Sequence, residues 1–215
     1  MKTYLCLFSA VLLAGCVAEQ TETAISGPEE SGSGLGAGAP ETTALETVDS
    51  GSDHDHGVYK LTGENTQVLF TGTKKSGDNH SGGFKNLSGE IVTAEGNVES
   101  IVVTIETESL FSDADRLTGH LKNEDFFSVN EFPELKFEST SIEGEQEITV
   151  TGTLTMHGQT GQVSFPAKVL VDGDTVSLTS EFKVDRTKFG MNYVGKPDDP
   201  INADVDIRIV VGESQ

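Results

Sequence analysis

Residues 162–184 read QVSFPAKVLVDGDTVSLTSEFKV. Two runs, Gln162–Val171 and Thr175–Val184, alternate apolar and polar side chains around Asp172-Gly173-Asp174. A strand sends successive side chains to opposite faces, so this alternation predicts half-buried strands. Asp and Gly tolerate the backbone of a tight reversal, and the segment is predicted to be a β-hairpin. The same period continues outward in both directions. Upstream, Glu147–Met156 places Ile148, Val150, Gly152, Leu154 and Met156 on one face, and Glu134–Ile142 places Leu135, Phe137, Ser139 and Ser141 on one side. Downstream, within Asn202–Val211, Ala203, Val205, Ile207 and Ile209 alternate with Asp204, Asp206 and Arg208. Nearer the N-terminus, Thr66–Thr71, Phe84–Val92 and Ser100–Thr107 complete a set of eight expected strands.

Residues 112–130 break this period. Ser112-Asp113-Ala114-Asp115 has the form of a capping box, with Ser112 as N-cap and Asp115 in place of the usual Glu. Arg116, Leu117, His120 and Leu121 then recur at helical spacing, and Asn123–Phe127 is expected to form a second short helix before Phe132-Pro133. Many short strands with one helical excursion point to an all-β antiparallel fold, closed as a barrel or stacked as a sandwich.

The first residues carry a different signal. After Met1-Lys2, an apolar run from Tyr4 to Ala14 leads into Leu13-Ala14-Gly15-Cys16. A charged start, a short apolar core and small residues before a cut describe a secretory signal, and a cysteine just after the cut describes the bacterial lipoprotein type. The run is too short to span a bilayer, which takes about twenty residues. The expectation is removal of residues 1–15 and lipidation of Cys16, with each buried acyl methylene worth about 0.8 kcal/mol. The protein would then be exported and lipid-anchored in the bacterial cell envelope, on an outer-membrane or periplasmic face. Residues 16–57 are expected to form a linker. From Val17 to Gly57 there are nine acidic residues and no Lys or Arg, and the stretch Ser31–Pro40 is mostly Gly, Ser and Ala. Apolar residues there are too sparse to offset the entropy of ordering the backbone. The folded domain is expected over 58–211.

Of the two cysteines, Cys6 would leave with the signal and Cys16 would carry lipid, so the domain is expected to lack a disulfide. Its core must come from packing, and with no Trp the eleven Phe supply the large apolar bulk. A net charge of −21 with no basic patch argues against nucleic acid as a partner. The sequence holds no G-x-S-x-G, H-E-x-x-H, P-loop or C-x-x-C pattern, and no carboxylate pair stands out as an acid/base couple. An enzyme and a cofactor are therefore not expected.

Three ordered motifs carry a resemblance. The first is Arg116–Thr140, with the form R-x-x-x-H-L-K-x-x-D-F-F-x-V-x-x-x-P-x-x-x-F-x-S; the second is Gly152-Thr153-Leu154-Thr155-Met156-His157-Gly158-Gln159-Thr160; the third is Val184-Asp185-Arg186-Thr187-Lys188-Phe189-Gly190-Met191. Together they resemble the YceI-like family, bacterial exported proteins described as polyisoprenoid-binding. The resemblance covers roughly 58–211. It implies an eight-stranded, lipocalin-like antiparallel barrel with a helical insert, whose apolar cavity takes a polyprenyl chain or a similar amphiphile as carrier or store. It also leaves room for a homodimer. The stretch Lys74–Phe84 is longer and more Gly-rich than the family pattern, and is expected to form a loop in place of a tight turn.

Candidate ligand-binding residues follow, each beside its structural alternative. Arg116 and His120 lie four apart and share a helix face, where they would contact a headgroup or pin the insert. His157, before Gly158, would stabilise a turn or touch ligand. Arg186 would pair with a carboxylate such as Asp185 or Asp206, or reach the ligand. Of Phe126 and Phe127, one is expected to plug the barrel and the other to pack outside. Phe70, Phe84, Phe137, Phe165 and Phe182 are core or cavity-lining, Phe189 joins the candidates through its motif, and His80 is placed at the rim. Asp53-His54-Asp55-His56 is a weak metal candidate, with imidazole and carboxylate ligands that suit Zn²⁺ or Cu²⁺ and with His80 as a further ligand. Two rival functions follow: a structural or interaction barrel with a filled interior, and a His-based metal or stress sensor.

Overall fold

The computed structural model describes residues 56–212. Its strands are β1 (His56–Thr62), β2 (Thr66–Lys74), β3 (Asn79–Phe84), β4 (Leu87–Ala94), β5 (Asn97–Glu106), β6 (Leu110–Ser112), β7 (Glu134–Gly144), β8 (Glu147–Met156), β9 (Gln159–Asp172), β10 (Thr175–Asp185), β11 (Gly195–Lys196) and β12 (Asp199–Val211), with one helix, α1 (Asp115–Leu121). Every ladder is antiparallel. Three passes of the chain are each broken midway into two strands. β1 pairs β4 while its continuation β2 pairs β3, and β5 pairs β4 while its continuation β6 pairs β3. Counting β1–β2, β3–β4 and β5–β6 as one pass each, the order runs through β7, β8, β9, β10 and β12 and returns to β2. The sheet thus curls into a barrel of eight passes, the expected class. The expected strand Phe84–Val92 straddles the break between β3 and β4, and β1 was not among the expected strands.

Alternate passes run in opposite directions, so the connections sort to two ends. Turns at 95–96, 145–146 and 173–174 lie at one end, the base, where β1 also begins. The β2–β3 turn, the insert over 113–133, the turn at His157-Gly158 and the segment 186–198 all lie at the other end, the mouth. The helical insert, the His157-Gly158 turn and the Arg186 motif therefore all collect at the mouth.

The local corrections have simple causes. The capping box does not form: Ala114 is the N-cap of α1, and the Ser112 hydroxyl instead bonds the Ala114 carbonyl (3.0 Å) and the Thr118 hydroxyl (2.8 Å). Asn123–Phe127 is a run of turns, not a helix; the Phe127 N–H reaches back to the Leu121 carbonyl at 3.0 Å and folds the chain under α1. Lys75–Asp78 is a tight turn, not a loop. The Lys74 N–H bonds the Asp78 carbonyl at 2.8 Å, Gly77 takes φ +95°, and the Gly-rich stretch after it is strand β3. In β7, Ser139 pairs Gly152 but Ser141 pairs Thr151, so one extra residue bulges. Past the bulge Ser141 faces solvent and Ile142 packs on the core, the reverse of the expected facing.

Candidate functional site

The barrel encloses an apolar cavity of about 340 Å³, within the ~300–1,000 Å³ of typical small-ligand pockets. Phe70, Phe84, Phe137, Phe165 and Phe182 all line it. The insert adds Leu117, Leu121, Phe126 and Phe127 over the mouth. Both adjacent phenylalanines face the cavity, so neither packs outside. The turn run after α1 accounts for this, since it lacks the helical rotation that would separate neighbours. The rings meet along the wall: Phe165 and Phe182 stack at 4.4 Å, Phe137 tilts against Phe165 at 5.6 Å, and Phe127 meets Phe84 edge-on at 5.6 Å. Gly152 makes room for this, because a Cβ there would stand 2.5 Å from the Phe137 ring. A ring-lined cavity of this size is not the filled barrel of the structural alternative.

Three ionisable side chains reach the lining: Lys74, His80 and Arg186. Arg186 is 5% exposed. Its Nε donates to the Asn202 carbonyl (3.1 Å), Nη2 to the Ile201 carbonyl (3.3 Å) and Nη1 to the Met191 carbonyl. It therefore pins the 186–202 connection through backbone oxygens and pairs with no carboxylate, contrary to the expectation. Desolvation by burial lowers its pKa below the ordinary guanidinium value. Asp185 instead accepts from the Thr187 N–H (3.0 Å) and hydroxyl (2.6 Å), and Asp206 pairs with Lys183 at 2.8 Å.

His80 sits at the mouth on β3, its Nδ1 3.0 Å from Asp113 Oδ1. The other Asp113 oxygen accepts the Ser81 N–H at 3.0 Å. That N–H first, and His80 second, hold the Asp113 carboxyl below its usual 3.8. Lys74 shares the inward face of the β2–β3 hairpin with His80, because the register pairs Gly72 with His80. Its ammonium lies 3.8 Å from Asp78 and 3.9 Å from Asp199.

The remaining candidates lie outside the lining. Arg116 is exposed on α1. His120 bonds Asp125 at 3.1 Å and meets the rings of Phe126 and Tyr193 at 5.2 and 5.0 Å. Tyr193 escaped the sequence reading because its segment has no period. His157 takes φ +51° and Gly158 φ +69°, the two left-handed residues of a two-residue hairpin turn. The His157 Nδ1 meets the Phe189 carbonyl at 3.2 Å, and its ring lies edge-on to Phe132. Phe189 is buried over Gly161. Cys16 and His54 lie outside the described residues. His56 begins β1 at the base, at the opposite end from His80, so the barrel does not bring these two together as ligands. Among the described residues no group of three His, Cys, Asp or Glu side chains could hold a metal ion. No helix among the described residues is long and apolar enough to cross a membrane.

The family model for the YceI-like domain matches residues 59–212. The chain belongs to the YceI-like family. It is 30% identical over 136 residues to a UPF0312 protein of Pseudomonas putida (strain GB-1), covering 59% of this chain and 71% of that protein. It is 35% identical over 96 residues to Protein YceI of Salmonella arizonae, covering 43% of this chain and 50% of that protein. Among solved structures, BcnA of Burkholderia cenocepacia superposes with a TM-score of 0.59 at 21% identity, over 68% of this chain and 94% of that one. A polyisoprenoid binding domain from Saccharophagus degradans, implicated in plant cell wall breakdown, superposes with a TM-score of 0.57 at 15% identity, over 72% of this chain and 95% of that one. These likenesses support the barrel fold of the YceI-like domain described above.

Proposed function

We propose that this YceI-like domain binds a polyisoprenoid or similar amphiphile inside its barrel and carries or stores it without catalysis. The observation that carries the reading is the phenylalanine-lined cavity of about 340 Å³ with ionisable groups confined to its mouth. Each Å² of apolar ligand surface removed from water there contributes about 25 cal/mol. A likeness in fold to a domain named for polyisoprenoid binding supports the same reading. Lys74 and His80 stand where a polar headgroup would emerge. The Leu13–Cys16 motif supports lipidation of Cys16 and a place in the cell envelope, with the chain entering the barrel at its base.

The test is uptake by delipidated protein of fluorescently labelled geranylgeraniol. Saturable uptake near one probe per chain is expected, and Val103→Phe, which fills the void, is expected to weaken it at least tenfold with the fold intact. A folded protein that takes up no probe overturns the reading. Metabolic labelling with palmitate, lost in Cys16→Ser, tests the anchor separately.

A further inference from the structure

The barrel wall is unzipped on one side. β9 and β10 pair over Lys168–Asp172 and Thr175–Thr179, next to their hairpin turn. Toward the mouth they part. Gln159–Ala167 keeps its ladder to β8, and Ser180–Asp185 keeps its ladder to β12, but no rung joins the two. The split runs for about six residues, or about 20 Å at 3.3 Å per residue.

The sequence explains where it starts. The Val169 N–H bonds the Gln146 carbonyl on the β8 side. Strand alternation therefore turns the even-numbered N–H groups of β9 toward β10. The rung after Lys168 falls to residue 166, which is Pro and has no N–H. The Pro166 carbonyl is met instead by the Ser180 hydroxyl at 2.6 Å, a side-chain substitute for the ladder. Beyond that point side chains alone close the wall. Phe165 and Phe182, stacked at 4.4 Å with an interplanar angle of 12°, face each other across the split, and both line the cavity. Val163 and Val184 flank them on the same inner face. Near the mouth Phe189 packs over Gly161 of β9.

We infer that the split between β9 and β10 is a lateral passage through which the ligand's apolar chain enters and leaves, with the Phe165–Phe182 stack as its gate. Parting the strands beyond the Ser180–Pro166 contact breaks no backbone–backbone rung, whereas opening any paired seam breaks several. The gate's residues are the cavity's own lining, so a chain passing between them meets apolar side chains from the cavity as far as the outer face of the wall. This inference rests on the binding reading above, since it concerns how that same cavity fills.

The experiment compares two crosslinks in the full chain carrying Cys6→Ser and Cys16→Ser. Ser164→Cys with Lys183→Cys spans the split on its outer face, by extension of the Lys168–Thr179 register. Lys168→Cys with Thr179→Cys spans a rung already paired. Closing the first pair is expected to slow both uptake and release of labelled geranylgeraniol at least tenfold, leave the equilibrium affinity within about twofold, and recover on reduction. The second pair is expected to change neither rate. Phe182→Ala, which needs no crosslink, is expected to speed release severalfold. Equal rates with the split crosslinked and reduced, or a Phe182→Ala release rate at the parent value, overturn the passage while leaving binding in place. A parent protein that takes up no probe overturns the binding reading and the passage together.

Discussion

At the base of the barrel, Val98, Ile148, Val169 and Val176 are buried in one apolar cluster. Toward the mouth, Phe70, Phe84, Phe137, Phe165 and Phe182 line a void. Both regions come from the same alternation of apolar and polar residues on the same strands. The difference lies in shape. Branched aliphatic groups from facing strands interdigitate at interior density. Flat rings lean on their neighbours along the wall, as Phe165 does on Phe182 and Phe137, and leave the axis open. The two ends are also fastened differently. Apolar packing closes the base, while polar clamps hold the mouth: Arg186 on three carbonyls, Asp113 between His80 and Ser81, and Asp185 on Thr187.

The largest expected effect compares two positions on one face of β8. Ile148 is packed at the base, and Leu154 lines the cavity. Ile148→Ala should cost about 3–4 kcal/mol in urea unfolding, because it creates a new void. Leu154→Ala should cost about 1–2 kcal/mol, because it enlarges a void already present. Equal costs would break the contrast between base and chamber.

Arg186→Met tests the polar clamp at the mouth. It leaves three carbonyls without their charged donor and should cost about 2–3 kcal/mol. Arg186→Lys should recover less than half of this, since an ammonium cannot fork across carbonyls of residues 191, 201 and 202. Full rescue by Lys would mean that charge, not the planar fork, holds the connection.

Acid should loosen the mouth before the base. Asp113 and Asp185 both have folded-state pKa values below the ordinary 3.8, Asp113 chiefly through the Ser81 N–H and Asp185 chiefly through the Thr187 hydroxyl. Their contribution is present above the unfolded value and is lost as pH falls through the lowered one. As pH drops from about 5 to about 2, amide exchange should therefore speed up in the β2–β3 hairpin and around 186–190 before it does so at Ile148 and Val169. Asp113→Asn should remove the hairpin's share. Simultaneous loosening of both ends would dissolve the distinction.

The smallest effect is expected at the β8–β9 turn. His157→Asn should shift stability by no more than about 0.5 kcal/mol, because Asn also tolerates a positive φ. A shift several times larger would give the His157–Phe189 contact a share in holding the mouth.

Period two by itself determined most of the strands and their inward faces, and hence an antiparallel all-β fold. The Asp172-Gly173-Asp174 reversal was legible for the same reason: both signals are local, set by where successive side chains point and which residues a tight turn tolerates. The motifs around Arg116, His157 and Arg186 were legible as special without revealing their roles. Tertiary structure decided those. Arg186 was expected beside a carboxylate and took carbonyls of residues 191, 201 and 202, while Asp113, given no role of its own between Ser112 and Asp115, came to hold His80 across the mouth. Ser141 and Ile142 exchanged faces because one bulged residue shifts the register, and alternation records parity but not its breaks. The void belongs to this second class as well. Whether facing rings meet in the middle or stand apart depends on the curvature of eight passes closing on one another, a distance that no single strand encodes.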